Sequence, residues 1–190
     1  MDVELRHNPT DSETLSAVSE MLETSLEEDL RYPFEGLLPY FENGSMELYA
    51  AFDKGNDVGF AVVIPHGKLL YILFLVVNAK YRSEGYGRKI IDAMRETYPD
   101  KSLVLDCEEE LVPFYEHVGI KDSGYRMEFR NILLYVMCES ELCLDDFVAI
   151  NKVLGPLEKD DDTDFIWIEP DGTRYVIAPG CSLDDCGFSE

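Results

Sequence analysis

The chain has 190 residues, enough for one domain with its own hydrophobic core and a small appendage. Apolar residues make up 46% of it, as in folded globular proteins rather than disordered ones. Thirty-nine Asp and Glu against 16 Lys and Arg give a net charge of −23, which argues against sequence-independent nucleic-acid binding, since that relies on Lys and Arg to neutralise phosphates. An acidic balance serves solubility and also suits a cationic ligand.

The chain begins with MDVELRH, whose alternation of apolar and polar residues predicts a half-buried strand. Asp11 or Ser12 can cap the helix that follows, and Leu15, Val18, Met21, Leu22 and Leu26 are spaced for its apolar face. Pro33 interrupts, and FEGLLPYFENG reads as a short helix ending near Gly44. Three strands follow, Glu47 to Phe52, Asp57 to Ile64 and Leu69 to Val77, separated by DKGND and PHGK and therefore expected as an antiparallel meander.

Gly87 to Tyr98 is helical by pattern, with Ile90, Ile91 and Met94 on one face. SLVLDCE is a strand, and ELVPFYEHVGI a helix with Pro113 in its first turn and its end at Gly119. GYRMEFRNILLYVMC closes the core with more strand, giving a mixed α/β (α+β) sheet. After Glu139 the character shifts: ELCLDDFVAINKVLGPL reads as a helix, EKDDDTD as an acidic linker, and DFIWIEPDGTRYVIAP as a hairpin around Asp171-Gly172. The expected division is a main domain over 1–138 and an acidic extension over 139–190, whose polar last residues are expected to be disordered.

Cys107, Cys138, Cys143, Cys181 and Cys186 are an odd number without CxxC spacing, and the three histidines are scattered. Free thiols are expected, and no metal site, as in a reducing cytoplasm. The N-terminal residues lack the basic-then-apolar signature of a leader, and LLYILFLVV is half the length of a membrane span. A soluble cytoplasmic protein without membrane attachment is the expectation.

The chemistry concentrates at RSEGYGRKII, Arg82 to Ile91, between a strand-like and a helix-like segment. Backbone N–H groups at a helix start are unpaired, the helix dipole adds positive potential, and glycine lets an anion approach closely. A plain strand-to-helix turn has the same composition, so both readings stay open at this level. A P-loop needs Gly-Lys-Ser/Thr, which GYGRKI lacks, and Ile90 stands where a dinucleotide fingerprint needs its third glycine.

Arg82-x-x-Gly85-x-Gly87 resembles the [R/Q]xxGx[G/A] loop of the GNAT superfamily of acyl-CoA-dependent N-acyltransferases. FLVVNAKYRSEGYGRKII is similar to that family's fourth strand, loop and third helix. PFYEHVGI, from Pro113, looks like its later helix ending in FYxxxGF, with Ile120 for the usual Phe. ELYAAFDKGNDVGFAVVI resembles its second and third strands, and the likeness runs from about Met1 to Met137.

The resemblance implies the GNAT fold with a C-terminal β-hairpin extension, acetyl-CoA as co-substrate and an amine as acceptor. It implies that the backbone from Arg82 through Ser83, Glu84, Gly85 and Tyr86 to Gly87 holds the pyrophosphate. Ser83, Arg88 and Lys89 would add donors, with Lys89 reaching toward the 3′-phosphate. Main-chain groups of Leu75, Val76 and Val77 would face pantetheine and the thioester. Tyr115 would protonate the leaving thiolate, its phenol near 10 against a thiol near 8.5. Glu108 and Glu109 are the candidate bases, directly or through water, although this segment lacks the Asn many relatives carry there. Glu27, Glu28, Asp29 and Glu35 beside Tyr32, Phe34, Tyr40 and Phe41 suit a cationic amine, or equally an ordinary helix pair. Cys107 reads as a buried strand cysteine rather than an acyl carrier. The alternative to catalysis is a GNAT-fold module that binds acyl-CoA or another protein, with the C-terminal hairpin seeking its own core or, in a homodimer, a second subunit.

Overall fold

The structure, a computed structural model, is described for residues 3–26, 30–154, 165–177 and 187–188. It divides into two compact units, Met1–Pro65 with Ile72–Lys101, and His66–Tyr71 with Ser102–Glu190.

In the first unit, β1 (Glu4–His7) is followed by α1 (Ser12–Ser25), which Asp11 opens by accepting the Thr14 N–H at 2.8 Å. Val18, Met21 and Leu22 are the buried part of the predicted face, while Leu15 and Leu26 are half-buried. Pro33 precedes α2 (Phe34–Asn43), which buries Phe34 and Leu37 and stops at Gly44 in the left-handed region. β2 (Glu47–Asp53) pairs antiparallel with β1 and with β3 (Asn56–His66). The β2–β3 turn is two residues, Lys54 and Gly55, both at positive φ, as a tight hairpin of right-twisted strands requires.

β3 neighbours β4 (Leu69–Val77), completing the predicted meander. Gly59 in β3 has to be glycine for reasons of space. A Cβ there would lie 2.3 Å from the Val76 carbonyl oxygen and 3.1 Å from Ile90 of α3 (Tyr86–Thr97). That helix buries Ile90, Ile91 and Met94 as its spacing predicts, and Tyr86 in addition.

In the second unit, the start of β4 pairs parallel with β5 (Ser102–Cys107). α4 (Val112–His117) carries Pro113 in its first turn, where the missing N–H costs nothing. GYRMEFRNILLYVMC, expected as continuing strand, divides into the later part of β6 (Lys121–Phe129) and all of β7 (Ile132–Cys138). Arg130 and Asn131 make the turn at φ 49° and 64°, and an Arg-Asn pair carries a weaker turn signal than Asn-Gly. β7 lies between β5 and β6, so the order is β5-β7-β6, antiparallel throughout.

The segment after Glu139 forms α5 (Leu144–Leu154) and the predicted hairpin, β8 (Phe165–Ile168) and β9 (Arg174–Ile177). β8 pairs antiparallel with β6 through Arg126↔Ile168, Met127↔Trp167 and Glu128↔Ile166. Trp167 is fully buried between Tyr125, 4.8 Å between ring centres, and Phe147 of α5 at 4.4 Å, while Phe165 stacks on Phe129 at 4.7 Å. Phe165 and Trp167 of the hairpin thus pack within their own unit, while Ile166 and Ile168 are half-buried. EKDDDTD lies outside the described residues. Of the last ten residues, Gly187–Phe188 are described, as β10 pairing with β9. No helix among the described residues is long and apolar enough to cross a membrane.

Candidate active site

β4 leads into a 3-10 turn at Ala79–Tyr81, which Asn78 opens by accepting the Lys80 N–H at 3.1 Å. The Asn78 side chain donates to the Asp57 carbonyl at 3.1 Å and its own N–H to that of Val58 at 3.0 Å, tying the turn to β3. Arg82, Ser83, Glu84 and Gly85 follow, all exposed, with Ser83 at φ 66° and Gly85 at φ 80°, ψ 11°. Left-handed geometry costs glycine nothing and is uncommon for serine, and such residues concentrate at ligand-binding loops.

α3 then begins at Tyr86 without a side-chain cap. The Lys89 N–H reaches back to the Gly85 carbonyl at 3.2 Å, so the free donors are those before it. Among the described residues, the N–H groups of Gly85, Tyr86, Gly87 and Arg88 have no acceptor. At the positive end of a 12-residue helix, beside the exposed Gly85 and Arg88, they can bind an anion. The flanking basic side chains have partners of their own: Arg88 Nε lies 3.6 Å from Asp92, and Lys89 Nζ is 4.0 Å from the centre of the Tyr86 ring.

Along β4, Leu73, Leu75 and Val77 are half-buried and alternate with buried Phe74 and Val76. Pairing with β5 covers Leu69↔Ser102, Leu70↔Leu103 and Tyr71↔Val104 and, among the described residues, extends no further, although β4 runs on to Val77. The Leu75–Lys89 residues belong to the first unit; Glu108, Glu109 and Tyr115 belong to the second.

Tyr115 is buried in α4, and among the described residues its hydroxyl has no hydrogen-bond partner. Burial raises its pKa well above the usual phenol value, with the charge of Asp106 adding to the effect. Burial likewise lifts the Cys107 thiol to about 12, aided by Asp106. Glu108 is half-buried and starts the 3-10 turn over which Glu109 and Glu110 stand exposed.

Asp106 was legible in the sequence only as one acid in a run. Its carboxylate accepts the Tyr71 hydroxyl across the β4–β5 pair and faces a small apolar cavity with Val104, Val136, Phe147 and Ile150. Burial raises its pKa from 3.8 to about 6, against the lowering effect of the Tyr71 hydrogen bond. Between about pH 4 and 6 the folded chain therefore holds a proton that the unfolded chain has released, and stability falls as pH rises through that window. Asp106→Asn keeps an oxygen for Tyr71 and removes the ionisation. At pH 8 it should stabilise the fold by roughly 1–3 kcal/mol and at pH 4 by little, measured as urea midpoints at the two pH values.

Of the expected acceptor wall on α1 and α2, Tyr32 and Phe34 are buried, Tyr32 against Phe74 at 6.2 Å and Phe34 beside Phe41 at 6.3 Å. Tyr40 and Phe41 are half-buried and Glu35 is exposed; Glu27, Glu28 and Asp29 lie outside the described residues. An open groove between the two helices is lined by Leu15, Ser19, Glu20, Glu23, Phe34 and Glu35, an acidic and partly apolar surface.

Residues 16–139, about two thirds of the chain, match the family described as an acetyltransferase (GNAT) domain. A GNAT-family protein from Bacteroides thetaiotaomicron is 18% identical, with a TM-score of 0.61 over 78% of this chain and 95% of its own. A GNAT-family acetyltransferase from Elizabethkingia anophelis, solved with acetyl-CoA bound, is 14% identical, with a TM-score of 0.54 over 74% and 99%. A chimeric spermidine N-acetyltransferase from Vibrio cholerae is 16% identical, with a TM-score of 0.59 over 73% and 94%. At these identities the solved structures establish the mixed α/β fold, and the domain match establishes the family.

Proposed function

Because this chain belongs to the GNAT acetyltransferase family and is therefore an acyltransferase, we propose that it transfers the acetyl group of acetyl-CoA directly to a primary amine of a small molecule or peptide. The observation that carries this reading is the run of amides from Gly85 to Arg88 at the start of α3, unpaired among the described residues, beside Ser83 and Gly85 in left-handed geometry. They fit a pyrophosphate, and the fold relative from E. anophelis that holds acetyl-CoA supports the choice of donor.

Acetyl-CoA would supply the activated acetyl thioester. Backbone groups from Arg82 to Gly87 would hold its pyrophosphate, with Ser83, Arg88 and Lys89 as further donors. The main chain of Leu75, Val76 and Val77, beyond the reach of β5 pairing, would orient the pantetheine arm. Tyr115 stays protonated at neutral pH because burial opposes its ionisation, so its hydroxyl has a proton to deliver to a departing thiolate. Glu108 and Glu109 would take the proton an ammonium acceptor must lose before it can attack. Cys107, its thiol raised to about 12, is held in the unreactive form, which favours direct transfer over an acyl-cysteine route. The acidic groove between α1 and α2, and the spermidine-acetylating relative, support a cationic acceptor. The free thiols of Cys107, Cys138 and Cys143 support a reducing compartment such as the cytoplasm.

The test is titration calorimetry with acetyl-CoA, followed by thiol release over a panel of primary amines and amine-terminated peptides. Micromolar binding and amine-dependent release are expected. Absence of binding would overturn the donor; binding without release on any amine would overturn the acceptor class.

A further inference from the structure

Tyr86 sits between the two glycines of the loop, and in the sequence it counted only as a backbone position. In the structure its side chain is 8% exposed, although Arg82 to Gly85 beside it are open to solvent. Its ring meets three parts of the first unit. The hydroxyl donates to Asp53 Oδ2 at 2.6 Å in a buried hydrogen bond, and Asp53 itself is 9% exposed. Tyr81, the last residue of the 3-10 turn before the loop, packs edge-on against the ring at 5.7 Å. Lys89, one turn further along α3, places its ammonium over the ring face at 4.0 Å. One side chain thus joins the approach to the loop, the first turn of α3 and the tip of the β2–β3 hairpin.

Asp53 is placed to be rigid. It is the last residue of β2, opposite Asn56, and the turn between them is the two-residue Lys54-Gly55 bend. Asn56 Nδ2 donates to the Asp53 carbonyl at 3.1 Å, closing the hairpin tip from the inside. A carboxylate on such a support can fix the orientation of whatever donates to it. Among the described residues, the Tyr86 hydroxyl is the only donor to that carboxylate. The hydrogen bond also holds the phenol protonated, raising its pKa to about 12, so the anchor persists across the physiological range.

We propose that Asp53 and Tyr86 are positioning residues for the donor, holding the unpaired amides of Gly85 to Arg88 in the orientation that receives the pyrophosphate. The inference rests on the acetyl-CoA reading above. Neither side chain touches the substrate: Tyr86 acts through its own backbone and Asp53 acts through Tyr86. Fixing the amides before binding removes an ordering cost from the association step, so its loss weakens binding and leaves the chemistry at the thioester intact.

The experiment compares the full chain with Asp53→Ala, Asp53→Asn and Tyr86→Phe, reading acetyl-CoA Kd by calorimetry, KM and kcat by thiol release, and amide hydrogen exchange without ligand. Asp53→Ala should raise both Kd and KM for acetyl-CoA about tenfold, the loss expected for one charge-assisted hydrogen bond, with kcat changed less than about threefold. Asp53→Asn retains an oxygen acceptor and should restore Kd to within about threefold of the parent. Tyr86→Phe keeps the ring packed against Tyr81 and Lys89, so it folds even if Asp53→Ala does not, and should reproduce the rise in Kd. In both the Ala and Phe variants, the Lys89 amide, whose N–H donates to the Gly85 carbonyl at the start of α3, should exchange faster in the unliganded chain. Unchanged Kd and unchanged exchange in a folded Tyr86→Phe chain would overturn the positioning role while the acetyl-CoA reading stood. Absence of acetyl-CoA binding by the parent chain would overturn that reading, and this inference with it.

Discussion

Tyr115→Phe should lower turnover by roughly 10²- to 10³-fold and leave acetyl-CoA affinity within about twofold, the result expected if Tyr115 is the proposed proton donor used only in the chemical step. The substitution removes one oxygen from a ring already packed in α4, so its cost to folding is small. Among the described residues the hydroxyl has no partner to strand, which separates this variant from one that breaks a buried hydrogen bond. Because burial opposes ionisation of the phenol, with the Asp106 charge reinforcing it, the hydroxyl stays protonated at neutral pH. Turnover of the parent should accordingly show no loss assignable to Tyr115 between pH 7 and 9. Turnover within about threefold of the parent in Tyr115→Phe would remove Tyr115 from the mechanism and leave water as the proton source.

Trp167→Ala destabilises the second unit by roughly 3–5 kcal/mol, the range for deleting a fully buried large aromatic side chain. Tyr125 and Phe147 both lose a ring partner, so the cavity opens between β6 and α5 and cannot close by moving one residue. Far-UV circular dichroism in urea reports the loss, since Trp167 is the chain's sole tryptophan and its fluorescence disappears with it. Trp167→Phe should cost far less, about 1–2 kcal/mol. It retains an aromatic ring and removes an indole N–H that is buried without an acceptor among the described residues. A Trp167→Ala midpoint equal to the parent would mean that the hairpin contributes nothing to the core it enters. The expected result makes the C-terminal segment part of the folding unit that carries Tyr115, with stability there passing through residues far along the chain.

Legibility differed from one part of the protein to another. Strands β2, β3 and β4 and helix α3 were readable because Gly44, DKGND, PHGK and the Ile90–Ile91–Met94 spacing are local signals whose periodicity survives folding. The β6–β7 turn was hidden because Arg130 and Asn131 adopt a left-handed pair without a glycine to announce it. The α1–α2 aromatics looked alike in sequence, yet Tyr32 turns against Phe74 while Tyr40 stays half-exposed, a choice made by neighbours distant in the chain.

By itself, the sequence determined that a glycine turn and a helix start meet at Arg82 to Ile91, a local signal compatible with phosphate binding, while the choice of donor came from the resemblance of Arg82-x-x-Gly85-x-Gly87 and PFYEHVGI, in order, to the GNAT motifs. Only the tertiary structure decided how that loop is supported and where the acids stand. Tyr86 finds Asp53 across 33 residues of chain and Tyr71 finds Asp106 across 35, pairings that no local pattern encodes. The physical reason is the same in both cases. A hydrogen bond to a buried carboxylate is specified by the burial of both partners, and burial is a property of the folded chain.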